Sequence, residues 1–446
     1  MDSPSSSSTT DKGRILFVTL GCAKNEVDTD RMRARLLAAG YAEAEDVAGA
    51  DAAIVNTCSF LVAATEESIE CTLALAAEAA EGVRELPIVM AGCVPSRYGD
   101  DVAAEMSEVA RFVPAEQEDG IVEVIDELLG NVTAGSAPAV LRTVSGASAF
   151  IKISEGCDRF CSFCAIPYIR GPYWSRPAAE ILAEIRALAE QGVREFVLIG
   201  QDTGVWGCDF DEPDTLASLL ARAADAVAPY KGWVRVLYLQ PEGMTDELIA
   251  VIRDRAEVLP YIDMPVQHCS ADVLERMGRE GSEPELTALI ARLRREIPGM
   301  VIRTTAMAGF PGETDAEAAE LEAFLEDNAF DYCSVFAFSA EEGTRAAELD
   351  GQVPEEVKLE RTQALMDIAE RLGFAATAVH VGETVDVIVD GIEEGPDGPE
   401  LIGHAWFQAP DSDGAIHIAS GEAAVGDIVS CELVDSFCYE LIGEIR

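Results

Sequence analysis

Basic residues are scarce in this chain: 32 lysines and arginines stand against 81 aspartates and glutamates over 446 residues, a net charge of -49. So negative a field repels phosphate backbones and favours basic partners or plain solvation. Nucleic acid is therefore not the expected substrate. No uninterrupted apolar run approaches the roughly 20 residues of a membrane helix, which argues against a membrane protein. The opening MDSPSSSSTTDKG lacks the basic flank and apolar core of a secretion signal and reads as a disordered tail over residues 1–12. The expected location is cytoplasmic. Twelve cysteines in such a chain point to reduced thiols, some of them ligands, rather than to a disulfide scaffold.

What is present is apolar material for more than one core. Residues 13–130 alternate apolar runs (RILFVTL, AAIVNTC, LPIVMAGC) with helical stretches, which predicts a parallel α/β domain. Ligands bind such sheets at the carboxyl ends of the strands, and Cys22, Cys58 and Cys93 fall at or just past three of those ends. Small residues and turn formers over 131–147 read as a linker. Across 148–378 six further strand-helix units suggest a partial, open (βα)6 barrel, with Gln201, Asp202, Gln240, Glu242, Gln267, His268 and Glu313 at its active edge. From 379 to 446 short alternating runs broken by Gly and Pro predict a small all-β barrel. Residues 381–446 hold 15 acidic side chains and one basic one, Arg446.

The stretch GCDRFCSFC places Cys157, Cys161 and Cys164 in a loop after a predicted strand. Soft thiolates suit zinc or iron-sulfur clusters. A closed zinc site needs a fourth ligand, for which Asp158 and the distant His268 are poor candidates. Three thiolates on a [4Fe-4S] cubane leave one iron open to an outside molecule.

CxxxCxxC after the first strand of a parallel barrel resembles the radical S-adenosylmethionine (SAM) superfamily. That resemblance implies that the open iron chelates the amino and carboxylate groups of SAM, and that one-electron cleavage yields a 5'-deoxyadenosyl radical. GC at 21–22, NTC at 56–58 and AGC at 91–93, upstream of that motif and followed by a small β-barrel, resemble the methylthiotransferase family. Each of the three is ordinary as a core cysteine; their order at strand ends carries the likeness. Membership implies a second [4Fe-4S] cluster on Cys22, Cys58 and Cys93, and a C-terminal TRAM barrel that engages the substrate. It also implies sulfur transfer from the second cluster to a carbon radical.

The family divides between enzymes that modify a tRNA adenosine and enzymes that modify an aspartate β-carbon on small-subunit ribosomal protein twelve. TLGCAKNEVDTD, LYLQPEGMTDEL and IRTTAMAGFPGETDAE look like the latter, the RimO branch. The tRNA branch commonly has Gln and Met where Ala23 and Lys24 stand. One departure is Gln240, where LYLYPEG usually has tyrosine. The expected partners are a basic small-subunit ribosomal protein and an electron donor such as a flavodoxin or ferredoxin. A tRNA methylthiotransferase and a noncatalytic iron-sulfur redox sensor are the alternatives.

Four further residues are candidates for SAM contact. Phe163 resembles the aromatic position beside the adenine, or it shields the cluster by packing. Gln201, with Asp202, either reads SAM polar groups or simply ends a strand. Gly309 and Gly312 in GFPGET either let backbone approach SAM or form a tight turn. His268 is a proton partner or a structural histidine.

Overall fold

The computed structural model describes residues 12–82, 86–132, 142–144, 146–395 and 398–446. The tail expected at 1–12 and the linker expected at 131–147 lie largely outside these residues. The chain divides into two compact units, one comprising Met1–Thr143 with Ala165–Gly171 and the other Val144–Cys164 with Pro172–Arg446.

In the first unit, β1 (Arg14–Thr19), β2 (Ala42–Glu43), β3 (Ala52–Thr57), β4 (Ile88–Gly92) and β5 (Val109–Pro114) form a parallel sheet in the order β2-β1-β3-β4-β5. The helices are α1 (Ala23–Ala38), α2 (Val62–Glu81), α3 (Cys93–Tyr98), α4 (Asp100–Glu105) and α5 (Ile121–Leu129), joined by α6 (Ile166–Ile169). Strand side chains alternate between faces. On one face Ile15, Ile54 and Val89 meet Met32 and Leu36 of α1 and Ile121 and Ile125 of α5. On the other, Ala53, Val55 and Ile88 meet Leu75 and Ala79 of α2. Because both faces are covered, every residue of β3 and β4 is buried, which explains why these strands read as unbroken apolar runs.

The second unit is built on β6 (Ser148–Lys152), β9 (Glu195–Ile199), β10 (Trp233–Val236), β11 (Val258–Asp263), β12 (Val301–Ala308) and β13 (Tyr332–Ala337). These six strands pair in parallel in the order β13-β12-β11-β10-β9-β6, with two free edges. This is the open (βα)6 arrangement expected. A small ribbon of β7 (Ser154–Glu155) and β8 (Trp174–Ser175) follows β6. The flanking helices are α7 (Ala178–Gln191), α8 (Leu216–Val227), α9 (Asp246–Asp254), α10 (Ala271–Met277), α11 (Glu283–Glu296) and α12 (Asp315–Asn328). The 24-residue α13 (Glu355–Ala378) runs back along β13 and α12.

After α13 the sequence texture changes and so does the fold. β14 (Thr384–Gly395), β15 (Gly398–Ala405), β16 (Ile416–Ser420), β17 (Ile428–Ser436) and β18 (Leu441–Ile445) close into a barrel in the order β14-β15-β16-β18-β17. All its pairs are antiparallel except β16 with β18. Closure removes the free edges that short strands otherwise expose. The barrel is fastened to the strands of the larger one through buried polar groups. Asp413 takes a hydrogen bond from Tyr261 at 2.5 Å and an ion pair from Arg303 at 3.0 Å, and His404 bridges Glu195 and Asp390.

Candidate active sites at two sheet edges

In the first unit the carboxyl ends of three adjacent strands deliver three cysteines to one rim. Cys22 caps α1 after β1, Cys58 follows β3, and Cys93 opens α3 directly after β4. Register puts these ends side by side, with Thr19 opposite Asn56 and Thr57 opposite Gly92. Cys22 is exposed, Cys58 half-buried and Cys93 buried. Backbone must come very close here: a Cβ on Gly21 would lie 2.6 Å from Cys58 Cβ, and one on Gly92 only 2.3 Å from Asn56 Oδ1. Both glycines also hold positive φ, +100° and +89°.

A buried polar lattice holds this rim. Asn25 donates to Thr57 O at 2.7 Å and to Asn56 Oδ1 at 3.3 Å, while Asn56 donates to Asn25 O at 2.8 Å. The Cys22 thiol lies 3.5 Å from Asn25 Oδ1. Burial pushes the Cys58 thiol up and the Cys93 thiol to about 11; the Cys22 thiol adds to the rise at both, and Cys58 adds to it at Cys93. The Arg170 guanidinium opposes that rise at both positions.

In the second unit the loop after β7 carries the other trio. Cys157 is buried, and Cys161 and Cys164 are half-buried. The loop is pinned at its centre. Ser162 N donates to Met277 O at 2.8 Å, Ser162 Oγ to Arg276 O at 2.8 Å, and Ser162 O accepts from Ala346 N at 2.8 Å. Arg345 donates to Phe160 O at 2.7 Å, where the chain turns through φ +48°. Burial raises the Cys157 and Cys161 thiols. Arg159 opposes this at both, and Arg279 opposes it more strongly at Cys161. Arg159 is itself paired with Asp202 and, at 3.2 Å, with Glu242.

The predicted polar rim stands where expected, past the carboxyl ends of β9 to β12. Among the described residues several of its buried atoms have no hydrogen-bond partner: Gln201 Oε1, Asp202 Oδ1, Gln240 Oε1 and His268 Nε2. Orphaned buried polar atoms are costly unless a ligand or water completes them. His268 accepts from Ser270 N at Nδ1, and burial lowers its pKa to about 4, so it is neutral at pH 7. Its Nε2 lies 3.9 Å from Glu313 Oε2.

Phe163 is half-buried against the barrel core. Gly309 and Gly312 both hold positive φ in a turn that Glu313 closes by accepting from Gly309 N at 2.8 Å. The space a Cβ would take at Gly309 is filled by the stem of Lys358, 2.2 Å away. Sequence reasoning passed over Arg159, Arg170 and Arg279. The first two carry one signal, their nearness to the cysteine motif; Arg279 carries none. Among the described residues no group of three or more His, Cys, Asp or Glu is arranged around a single metal ion. No described helix is long and apolar enough to cross a membrane.

Comparisons with known proteins follow this layout. The radical SAM superfamily model matches residues 151–325, the uncharacterized protein family UPF0004 model matches 14–114, and the TRAM domain model matches 381–445. The chain is 41% identical to the ribosomal protein uS12 methylthiotransferase RimO of Trichlorobacter lovleyi, covering 97% of this chain and 98% of that one. It is 40% identical to the protein of that name from Geobacter sulfurreducens (97% and 99%) and 38% identical to that from Thermosynechococcus vestitus (97% and 97%). Among solved structures it resembles the radical SAM methyltransferase TsrM from Kitasatospora setae, with a TM-score of 0.54 and 15% identity over 74% of this chain and 75% of that one. At such identity the likeness concerns the fold alone. Three domain matches in order and relatives of about 40% identity along nearly the whole length lead to one conclusion: the chain belongs to the RimO family of radical SAM methylthiotransferases.

Proposed function

We propose that this chain adds a methylthio group to the β-carbon of an aspartate in ribosomal protein uS12, using two [4Fe-4S] clusters and SAM. Cys157, Cys161 and Cys164 ligate the cluster that binds SAM, and Cys22, Cys58 and Cys93 ligate the one that transfers sulfur. The observation that carries the reading is the count of thiols, three at each sheet edge. A cubane spreads its ligands more widely than a single ion does, and three of them leave one iron for an outside molecule. When bound, the clusters and SAM supply electron transfer, hydrogen abstraction and sulfur delivery that acid and base side chains do not.

The chain's own residues hold the reactants. Ser162 and Arg345 fix the cysteine loop, and Arg159 and Arg279 favour its thiolate forms. The buried acceptors of Gln201, Asp202 and Gln240 suit a ligand rich in N–H and O–H donors, such as the amino group and ribose of SAM. Phe163 would flank the adenine, and the turn through Gly309 and Gly312 would complete the rim. The acidic C-terminal barrel receives the basic ribosomal protein, since complementary fields speed and orient such docking. A flavodoxin or ferredoxin provides the electron.

The test is to offer uS12 and tRNA separately to the anaerobically reconstituted protein with SAM and a reductant. Mass spectrometry is expected to find a methylthio group on one uS12 aspartate and none on tRNA. Cys161→Ala should abolish 5'-deoxyadenosine formation, whereas Cys58→Ala should keep it and lose methylthiolation. Modification of tRNA alone, or full activity of Cys58→Ala, would refute the reading.

A further inference from the structure

Arg170 is a buried cation that the thiol chemistry alone does not require. Its side chain is 3% exposed. It belongs to the first unit, at the end of α6, where Ala165 and Ile169 pack against Cys93 in a small apolar cluster. Its guanidinium reaches Asp28, Asn25 and Cys93 there. One nitrogen donates to Asp28 Oδ2 at 2.7 Å; the other donates to Asn25 Oδ1 at 3.1 Å and to Cys93 Sγ at 3.3 Å.

Each partner is itself fixed. Asp28 is 3% exposed, and Asn25 is fully buried and tied to the backbone of β3. Burying a guanidinium costs several kcal/mol unless a carboxylate and further hydrogen bonds compensate it. Here the carboxylate takes one arm of the planar fork, and the second arm is shared between Asn25 Oδ1 and the Cys93 sulfur. A lysine, with a single point charge, cannot reproduce that division.

We propose that Arg170 is a positioning residue for the sulfur-transfer cluster: anchored by Asp28, it donates an N–H···S hydrogen bond to the Cys93 ligand and so raises the reduction potential of that cluster. The inference rests on the assignment of Cys22, Cys58 and Cys93 as its ligands. Hydrogen bonds to ligand sulfur and nearby positive charge stabilise the more negative, reduced form of an iron-sulfur cluster. Groups outside the ligand set tune metals in this way.

The experiment uses the full chain with Cys157, Cys161 and Cys164 replaced by alanine, so that a single cluster remains after anaerobic reconstitution. Iron and sulfide content are measured, and the cluster is titrated by electron paramagnetic resonance. Arg170→Gln should load to the same extent and show a midpoint shifted to lower potential. Arg170→Lys, which keeps the charge without the fork, should fall between the two. If Arg170→Gln does not fold, Arg170→Lys decides: a midpoint equal to the parent's overturns the proposal, as does an unshifted, fully loaded Arg170→Gln. A parent that binds no cluster overturns the ligand assignment itself, a different outcome from a loaded parent whose midpoint Arg170 does not affect.

Discussion

Gly92 shows what a thiol rim demands of its neighbours. It holds φ +89°, and a side chain there would meet Asn56 Oδ1 at 2.3 Å and Thr57 O at 2.9 Å. Such a sparsely populated backbone conformation costs a non-glycine residue roughly 1–2 kcal/mol, and overpacking typically adds about 1–3 kcal/mol. Gly92→Ala should therefore lower the stability of the first unit by about 2–5 kcal/mol in denaturant unfolding and reduce the iron retained at Cys93. An unchanged midpoint and unchanged iron content would show that the rim tolerates the space. At this scale the cysteines were legible because their spacing and their places at strand ends are chemical signals. Arg170 was not: its partners Asp28, Asn25 and Cys93 lie 142, 145 and 77 residues away, and only folding brings them together.

The parallel sheets were legible at the scale of elements, since strands buried on both faces announce themselves as apolar runs between helical stretches. The joint between the six-stranded sheet and the C-terminal barrel was not, because its charges sit inside strands and read as ordinary polar interruptions. His404 on β15 is fully buried between Glu195, at the start of β9, and Asp390 on β14. Arg235 holds the other oxygen of Glu195 at 2.8 Å, and Asp411 faces the same cluster. Burial alone would lower the His404 pKa, but Glu195 first and then Asp390 raise it to about 9. A pKa raised above the unfolded value of about 6.5 makes a contribution that is complete below pH ~6.5 and lost as pH rises through about 9. The second unit should accordingly lose up to about 3 kcal/mol of stability between pH 6.5 and pH 10. Thermal melts across that range check this, with His404→Gln as the control in which the slope is reduced. An identical slope in the control would remove His404 from the account.

Charge and the order of domains dominate the description of the whole molecule. A net charge of -49 destabilises any compact state by self-repulsion, yet the two cysteine sites are not acidic throughout. Arg170 stands at one, and Arg159 and Arg279 at the other. These three guanidiniums oppose the rise that burial imposes on the neighbouring thiols. Function was legible in the sequence to the level of reaction class, because thiol spacing limits the possible cofactors and the motifs around the thiols resemble one family. The residues that aim and tune those thiols were hidden, since their signal is purely three-dimensional.

Each trio of thiols is proposed to hold its own cubane. Mössbauer spectroscopy of the anaerobically reconstituted full chain tests it directly, alongside variants in which one trio at a time is replaced by alanine. Two [4Fe-4S] clusters per chain are expected, falling to one when either trio is removed. A single cluster in the intact chain, or two that survive the loss of a trio, would contradict it.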